Sequence, residues 1–110
     1  LREAGSGRVV NVASKGISDP FPGFFAYAAA KSALDSFTRS VHNEGQRRGV
    51  RAFTVAPGAI ETPMLRGIWD TDQLPSDHTL DPEQVAEIVI ACATGERDAQ
   101  SGETIFILPD

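Results

Sequence analysis

Several residue types that anchor common chemistries are scarce in this chain. Its single cysteine, Cys92, excludes an internal disulfide, and a reducing cytosol is the natural setting for such a chain. Two scattered histidines, His42 and His78, and one cysteine do not make a zinc ligand set, so no metal is expected. Basic residues are in the minority: ten Lys and Arg against fifteen Asp and Glu give a net charge of -5. That excludes the basic stripe needed to neutralise phosphates, and with it nucleic acid as a partner. No apolar run approaches the roughly 20 residues of a membrane span, and no charged and apolar leader stands at the front. Repeats, low-complexity tracts and linkers are missing as well. So is an initiating methionine. The chain starts at Leu1, its one methionine is Met64, and "LREAGSG" reads as the last turn of a helix running into a glycine stop. The expectation is that the sequence begins in the middle of something longer.

The 110 residues are enough for one domain. A hydrophobic share of 41% with 23% charged residues fits a soluble globular protein rather than a disordered one. "GRVVNVAS" (7–14) is a short, β-branched, nearly all-apolar run, suited to a strand buried on both faces, with the strand itself at about 8–13. "KGISDPFPG" (15–23) reads as a loop. From about 24 to 46 the pattern turns helical, with Ala26, Ala30, Ala33, Phe37 and Val41 recurring at threes and fours and Leu34 widening the stripe. Gly45 and Gly49 bracket its end. "VRAFTVAPG" predicts a second buried strand at about 51–56, stopped by Pro57 and Gly58. Residues 59–80 read as irregular. A second helix is expected at about 82–94, with Asp81 as N-cap, Pro82 at the first helical position and Glu83 in the first turn. "GETIFILPD" predicts a last strand at about 103–108. Strand, helix, strand, long loop, helix, strand is two βαβ units end to end, so the fold class is α/β with a parallel sheet. Three strands are few for such a sheet, and a two-sided apolar strand at a free edge would invite association.

In open parallel sheets ligands bind beyond the carboxyl ends of the strands. The first strand ends at Ser14 and the second at Pro57 and Gly58. Tyr27 and Lys31 lie in the first two turns of the intervening helix, one helical turn apart and on one face. Ser14, Tyr27, Lys31 and the segment 58–62 are therefore expected on one rim, with the long loop 59–80 over it. A free tyrosine titrates near about pH 10 and is a poor base at neutrality, but a nearby cation favours a phenolate. A serine that orients a substrate oxygen toward such a phenol suits proton transfer to a carbonyl or from an alcohol. A serine hydrolase is the weaker reading, because "VASKG" lacks the leading glycine of a nucleophile elbow.

These residues carry a resemblance. "YAAAK" resembles the Tyr-x-x-x-Lys signature of the short-chain dehydrogenase/reductase family, and Ser14 lies thirteen positions before Tyr27, as the family's catalytic serine does. "RVVNVAS", "VAPGAIETPM" and "SGETIFILPD" are similar to its fifth strand, the segment after its sixth, and its last strand. The resemblance implies the carboxyl-terminal half of a Rossmann-like, doubly wound sheet and an NAD(P)-dependent oxidoreductase moving hydride between nicotinamide and an alcohol or ketone. It implies Tyr27 as general acid/base, Lys31 on the nicotinamide ribose and favouring the phenolate, and Ser14 orienting the substrate oxygen. Pro57, Gly58, Ile60 and Thr62 would line the nicotinamide, with Tyr27 and Lys31 also touching the cofactor. The family's glycine-rich phosphate loop, its NAD-or-NADP selecting residue and its upstream asparagine are absent; Asn11, within the fifth strand, is not that asparagine. The expectation is thus a partial NAD(P)-binding domain over 1–110 without the phosphate-holding half, with NAD or NADP left open. The alternative is a catalytically incomplete chain serving as a structural or assembly module.

Plainer roles stand beside these. Ser14 also serves as a strand-end hydrogen-bonder, Pro57 and Gly58 as a strand stop, and Thr62 as an N-cap before Pro63. Met64, Leu65, Ile68, Trp69 and Leu74 form an apolar set that suits a lid over a hydrophobic substrate. His42 is expected to be solvated, His78 is a lesser candidate for substrate contact, and Cys92 is expected in the core. Small residues on helix 24–46 would let a second copy approach closely, so a homo-oligomer through this helix, or pairing with a missing sheet half, is expected.

Overall fold

A computed structural model describes residues 6–15 and 25–109, with nothing stated of the Met64 side chain. The expected helix start at 24 and most of the loop 15–23 lie outside the described residues. The elements are β1 (Gly7–Val12), α1 (Phe25–Gly45), β2 (Val50–Pro57), α2 (Pro63–Arg66), α3 (Pro82–Ala93) and β3 (Thr104–Ile107). Three further turns of 3-10 helix cover Gln46–Arg48, Ser76–His78 and Asp98–Gln100.

The sheet is parallel, in the order β1-β2-β3. β1 runs beside β2 from Gly7 opposite Val50 to Val12 opposite Val55, and β2 meets β3 from Thr54 opposite Thr104 to Pro57 opposite Ile107. β2 is central and is buried along almost its whole length, as a mostly apolar strand with Arg51 as its one half-buried position allows. β1 is an edge among the described residues, and its side chains are only half-buried, with Val12 41% exposed.

The two faces of β2 do different work. Phe53 and Val55 point into an apolar cluster with Leu80, Val85, Cys92, Ile105 and Ile107, the side on which α3 packs. α3 starts as its sequence dictates: the Asp81 carboxylate accepts from Glu83 N (3.0 Å) while Gln84 Oε1 accepts from Asp81 N (3.0 Å), around Pro82 in the first turn. The other face meets α1. Gly45 sits so close to Val50 that an added Cβ would lie 2.7 Å from Val50 Cβ, and Gly49 then turns the chain at φ 75°. By the two-residue period, Ala52, Thr54 and Ala56 share that face with Val50. A polar row crosses the sheet there: Asn11, Thr54 and Thr104 are register neighbours. Asn11 Nδ2 donates to Thr38 Oγ1 (2.9 Å), and Thr104 Oγ1 donates to Asp35.

This corrects the expected helix face. α1 docks through Ala28, Lys31, Leu34, Asp35, Thr38, Val41, His42 and Gly45, while Ala26, Ala30, Ala33 and Phe37 of the apolar stripe are exposed, Phe37 by 54%. His42, expected in solvent, is half-buried. Its Nδ1 lies 2.8 Å from Ser101 Oγ, which accepts from Ala52 N (3.0 Å) and so ties α1 to β2 and to the turn before β3. No helix among the described residues is long and apolar enough to cross a membrane.

Candidate active site

The carboxyl ends of the strands carry the candidate residues. Ala13 N donates to Val55 O (2.8 Å), so the β1 ladder runs one bond past Val12 and delivers half-buried Ser14 at the strand's end. Two more steps along the register set Ser14 level with Pro57. From the other side, α1 presents Lys31, whose Nζ donates to Val12 O at 3.1 Å. That bond pins the start of α1 to the end of β1, two residues before Ser14. The same ammonium lies 5.7 Å from the ring centroid of Tyr27, a phenol that is 51% exposed. Lysine and tyrosine are thus neighbours on one helix face, and their face is turned to the end of β1. The chain contains no other tyrosine.

The remaining candidates follow β2 outward. Pro57 is buried and closes the strand; Gly58 N donates to Ile107 O (2.8 Å). A side chain at Gly58 would meet Ile107 O, Leu108 and Pro109 at ordinary van der Waals distance. Ile60 forms a parallel bridge with Leu80, so it sits at the neck of the long excursion rather than on the strand. Thr62 is the N-cap of α2: its Oγ1 accepts from Leu65 N at 3.1 Å, with Pro63 at the first helical position. That hydroxyl keeps its own proton to donate.

Three features were not read from the sequence. Lys15 Nζ lies 5.7 Å from the centroid of the Phe106 ring, bringing a cation from the end of β1 across to β3. Arg66 organises the loop after β2 through a hydrogen-bonded ion pair with Glu61 (2.6 Å) and contacts to Trp69 and Leu74 carbonyls. An open groove lined by Ser32, Asp35, Ser36, Arg39, Thr104 and Phe106 runs between α1 and β3, away from Ser14 and Tyr27. All three depend on residues distant in sequence or on side-chain-to-backbone bonds that leave no periodic signal. His78 is exposed, and Cys92 is fully buried in the apolar cluster, where burial pushes its thiol up.

Known proteins resemble this chain in sequence and fold. Residues 1–73 match the family model described as short chain dehydrogenase. The chain is 35% identical over 108 residues to the 3-oxoacyl-(acyl-carrier-protein) reductase FabG of Vibrio harveyi, covering 93% of this chain and 44% of that protein. It is 30% identical over 112 residues to the acetoacetyl-CoA reductase of Shinella zoogloeoides, covering 96% of this chain and 46% of the relative. Among solved structures, a gluconate 5-dehydrogenase from Burkholderia cenocepacia in complex with NADP and tartrate superposes with a TM-score of 0.85 at 26% identity, over 96% of this chain and 45% of that one. A short chain dehydrogenase/reductase family protein superposes with a TM-score of 0.86 at 33% identity, over 96% of this chain and 46% of the other. The chain therefore spans about half the length of the curated relatives it matches, and with that family's model matched over most of its sequence, it belongs to the short-chain dehydrogenases.

Proposed function

We propose that this chain is the catalytic half of an NAD(P)-dependent oxidoreductase that moves hydride between nicotinamide and an alcohol or carbonyl carbon. The observation that carries the reading is the lysine bridge: Lys31 holds Val12 O at 3.1 Å while lying 5.7 Å from the Tyr27 ring, so helix and strand end meet beside Ser14. In this reading Ser14 donates to the substrate oxygen and fixes its direction. Tyr27 gives its phenolic proton to that oxygen as the carbonyl is reduced, or takes it back in the reverse direction. Lys31 steadies the phenol electrostatically and reaches the cofactor ribose. Pro57, Gly58, Ile60 and Thr62 lie along the nicotinamide, with the Thr62 hydroxyl free to donate while it caps α2. The dinucleotide supplies the hydride when bound.

A half of this kind needs a phosphate-holding partner. The edge that β1 forms among the described residues, with its half-exposed side chains, suits further strands, supplied by residues beyond this stretch or by another chain. The exposed stripe Ala26, Ala30, Ala33 and Phe37 suits close packing against a second copy. NADP is in the gluconate dehydrogenase complex and 3-oxoacyl or acetoacetyl thioesters are named for two relatives, so carbonyl thioesters and hydroxy acids are the substrates to try first. The experiment is to follow reduced-nicotinamide absorbance with NADH or NADPH and each carbonyl in turn. Consumption with one of them supports the proposal. A chain that neither consumes nor binds either cofactor, with or without added partner chain, supports the assembly-module reading instead.

A further inference from the structure

The excursion between β2 and α3 is closed at its neck and clamped in its middle. At the neck Glu61 N donates to Leu80 O (2.8 Å) and Leu80 N to Ala59 O (2.7 Å). In the middle sits the Arg66 guanidinium. Its Nε and Nη2 donate to the two carboxylate oxygens of Glu61, each at 2.6 Å. Its Nη1 donates to Leu74 O (2.7 Å) and Trp69 O (3.3 Å). Ser76 Oγ donates to Glu61 Oε1 (3.0 Å) and completes the ring. One side chain thus ties together positions from 61 to 76. The planar fork matches a carboxylate on one edge and carbonyls on another, geometry that an ammonium cannot reproduce. The Arg66 hydrogen bonds hold the Glu61 carboxyl below its usual range. What the clamp carries is apolar: Leu65, Ile68, Trp69 and Leu74, with Ile68 56% exposed. A connection of this length without a core of its own is ordinarily loose.

We infer that Arg66, through Glu61, is the positioning residue of this loop. It holds 61–76 as one pre-folded body that offers an apolar wall to the rim, and so favours carbonyl substrates with an apolar tail. The ordering cost is met before the substrate arrives, which strengthens binding without touching the hydride step. What the loop covers rests on the proposed function; the clamp stands on its own hydrogen bonds.

The sequence supplies two reporters. Arg66 is the one lysine or arginine between 59 and 80, so trypsin cleavage at Arg66–Gly67 reports release of the guanidinium. Trp69 is the only tryptophan, so its emission reports this loop alone. Glu61→Gln removes the carboxylate charge, and Arg66→Lys keeps the charge and the cleavage site but loses the fork. Both variants are expected to be cut at this bond several-fold faster than the wild type, with cleavage after Arg47 and Arg48 unchanged and Trp69 emission red-shifted. In turnover, both are expected to raise KM several-fold for apolar-tailed carbonyls, to leave KM for short ones in place, and to change kcat less. Wild-type cleavage as fast as in the variants overturns the clamp. Faster cleavage with unchanged KM overturns the positioning role. If the wild type shows no turnover, the proposed function fails separately, and quenching of Trp69 by an apolar-tailed thioester, weakened or not in the variants, decides the positioning role.

Discussion

Two threonines, Thr38 on α1 and Thr54 on β2, are fully buried, and replacing each by valine is expected to shift stability in opposite directions. Thr54 lies in the polar row of the sheet, and its Oγ1 finds no hydrogen-bond partner among the described residues. Valine has nearly the same shape. Thr54→Val removes a desolvated hydroxyl, worth about 1–3 kcal/mol when left unpaired. It also adds a buried methyl of about 0.8 kcal/mol. The net expectation is a gain of about 2–4 kcal/mol. Thr38 is the converse. Its hydroxyl accepts from Asn11 Nδ2 (2.9 Å) and donates to Leu34 O (3.1 Å), with Phe53 O at 3.4 Å. Thr38→Val strands the Asn11 amide and costs about 1–2 kcal/mol. The pair matters for the site because these groups seat the helix that carries Tyr27 and Lys31. Urea unfolding of both variants, read as a shift in midpoint at constant slope, measures the signs directly. In a domain of this size each kcal/mol also moves Tm by roughly 4–8 °C. If Thr54→Val lowers the midpoint, its hydroxyl has a partner and the description of the polar row is wrong.

Two further outcomes follow from local geometry and charge. Gly102 has φ 86°, and an added Cβ would lie 2.8 Å from the His42 ring, so Gly102→Ala is expected to cost at least about 1–2 kcal/mol of left-handed backbone strain and to displace the His42–Ser101 contact; an unchanged Tm would contradict this. Asp98 is held below its ordinary carboxylate range first by its hydrogen bonds from Arg8 (2.8–2.9 Å), and Glu61 likewise by Arg66. Carboxyls with depressed folded pKa values bind protons more readily when unfolded, so their contribution is complete above the unfolded value and is lost as pH falls through the folded one. Tm is therefore expected to hold from neutrality to about pH 5 and to fall below about pH 4. Asp98→Asn should flatten the fall, and a Tm that rises on acidification would contradict the assignment.

Much of the fold was legible because the forces that make it are local. The β2 run is mostly apolar on both faces, with Ala52, Phe53, Val55 and Ala56 covering adjacent as well as alternate places, which suits a strand covered on both sides. Asp81, Pro82 and Glu83 announce the start of α3 before any contact is known. The existence of α1 was equally plain, but not its buried face. Its docking residues include Lys31, Asp35, Thr38 and His42, whose partners are β1's end, Thr104, Asn11 and Ser101. Hydrophobicity ranks alanines and Phe37 as core because it cannot see a polar row on a strand elsewhere in the chain. The same limit hid α2 and Arg66: four helical residues are too few for a period, and a guanidinium that gathers carbonyls leaves no pattern. The approach of Lys31 to the end of β1 and to Tyr27 was readable because strand ends and helix starts fix it.

The central claim is that the Tyr27 phenol moves the proton that accompanies hydride transfer. Its most direct measurement is kcat of the active protein carrying Tyr27→Phe, with Tm recorded on the same sample. The half-exposed hydroxyl lies outside the apolar core, so Tm should hold while kcat falls by about 10²–10⁴, the usual share of a positioned acid or base. Turnover within a few-fold of wild type, at unchanged Tm, would contradict the account.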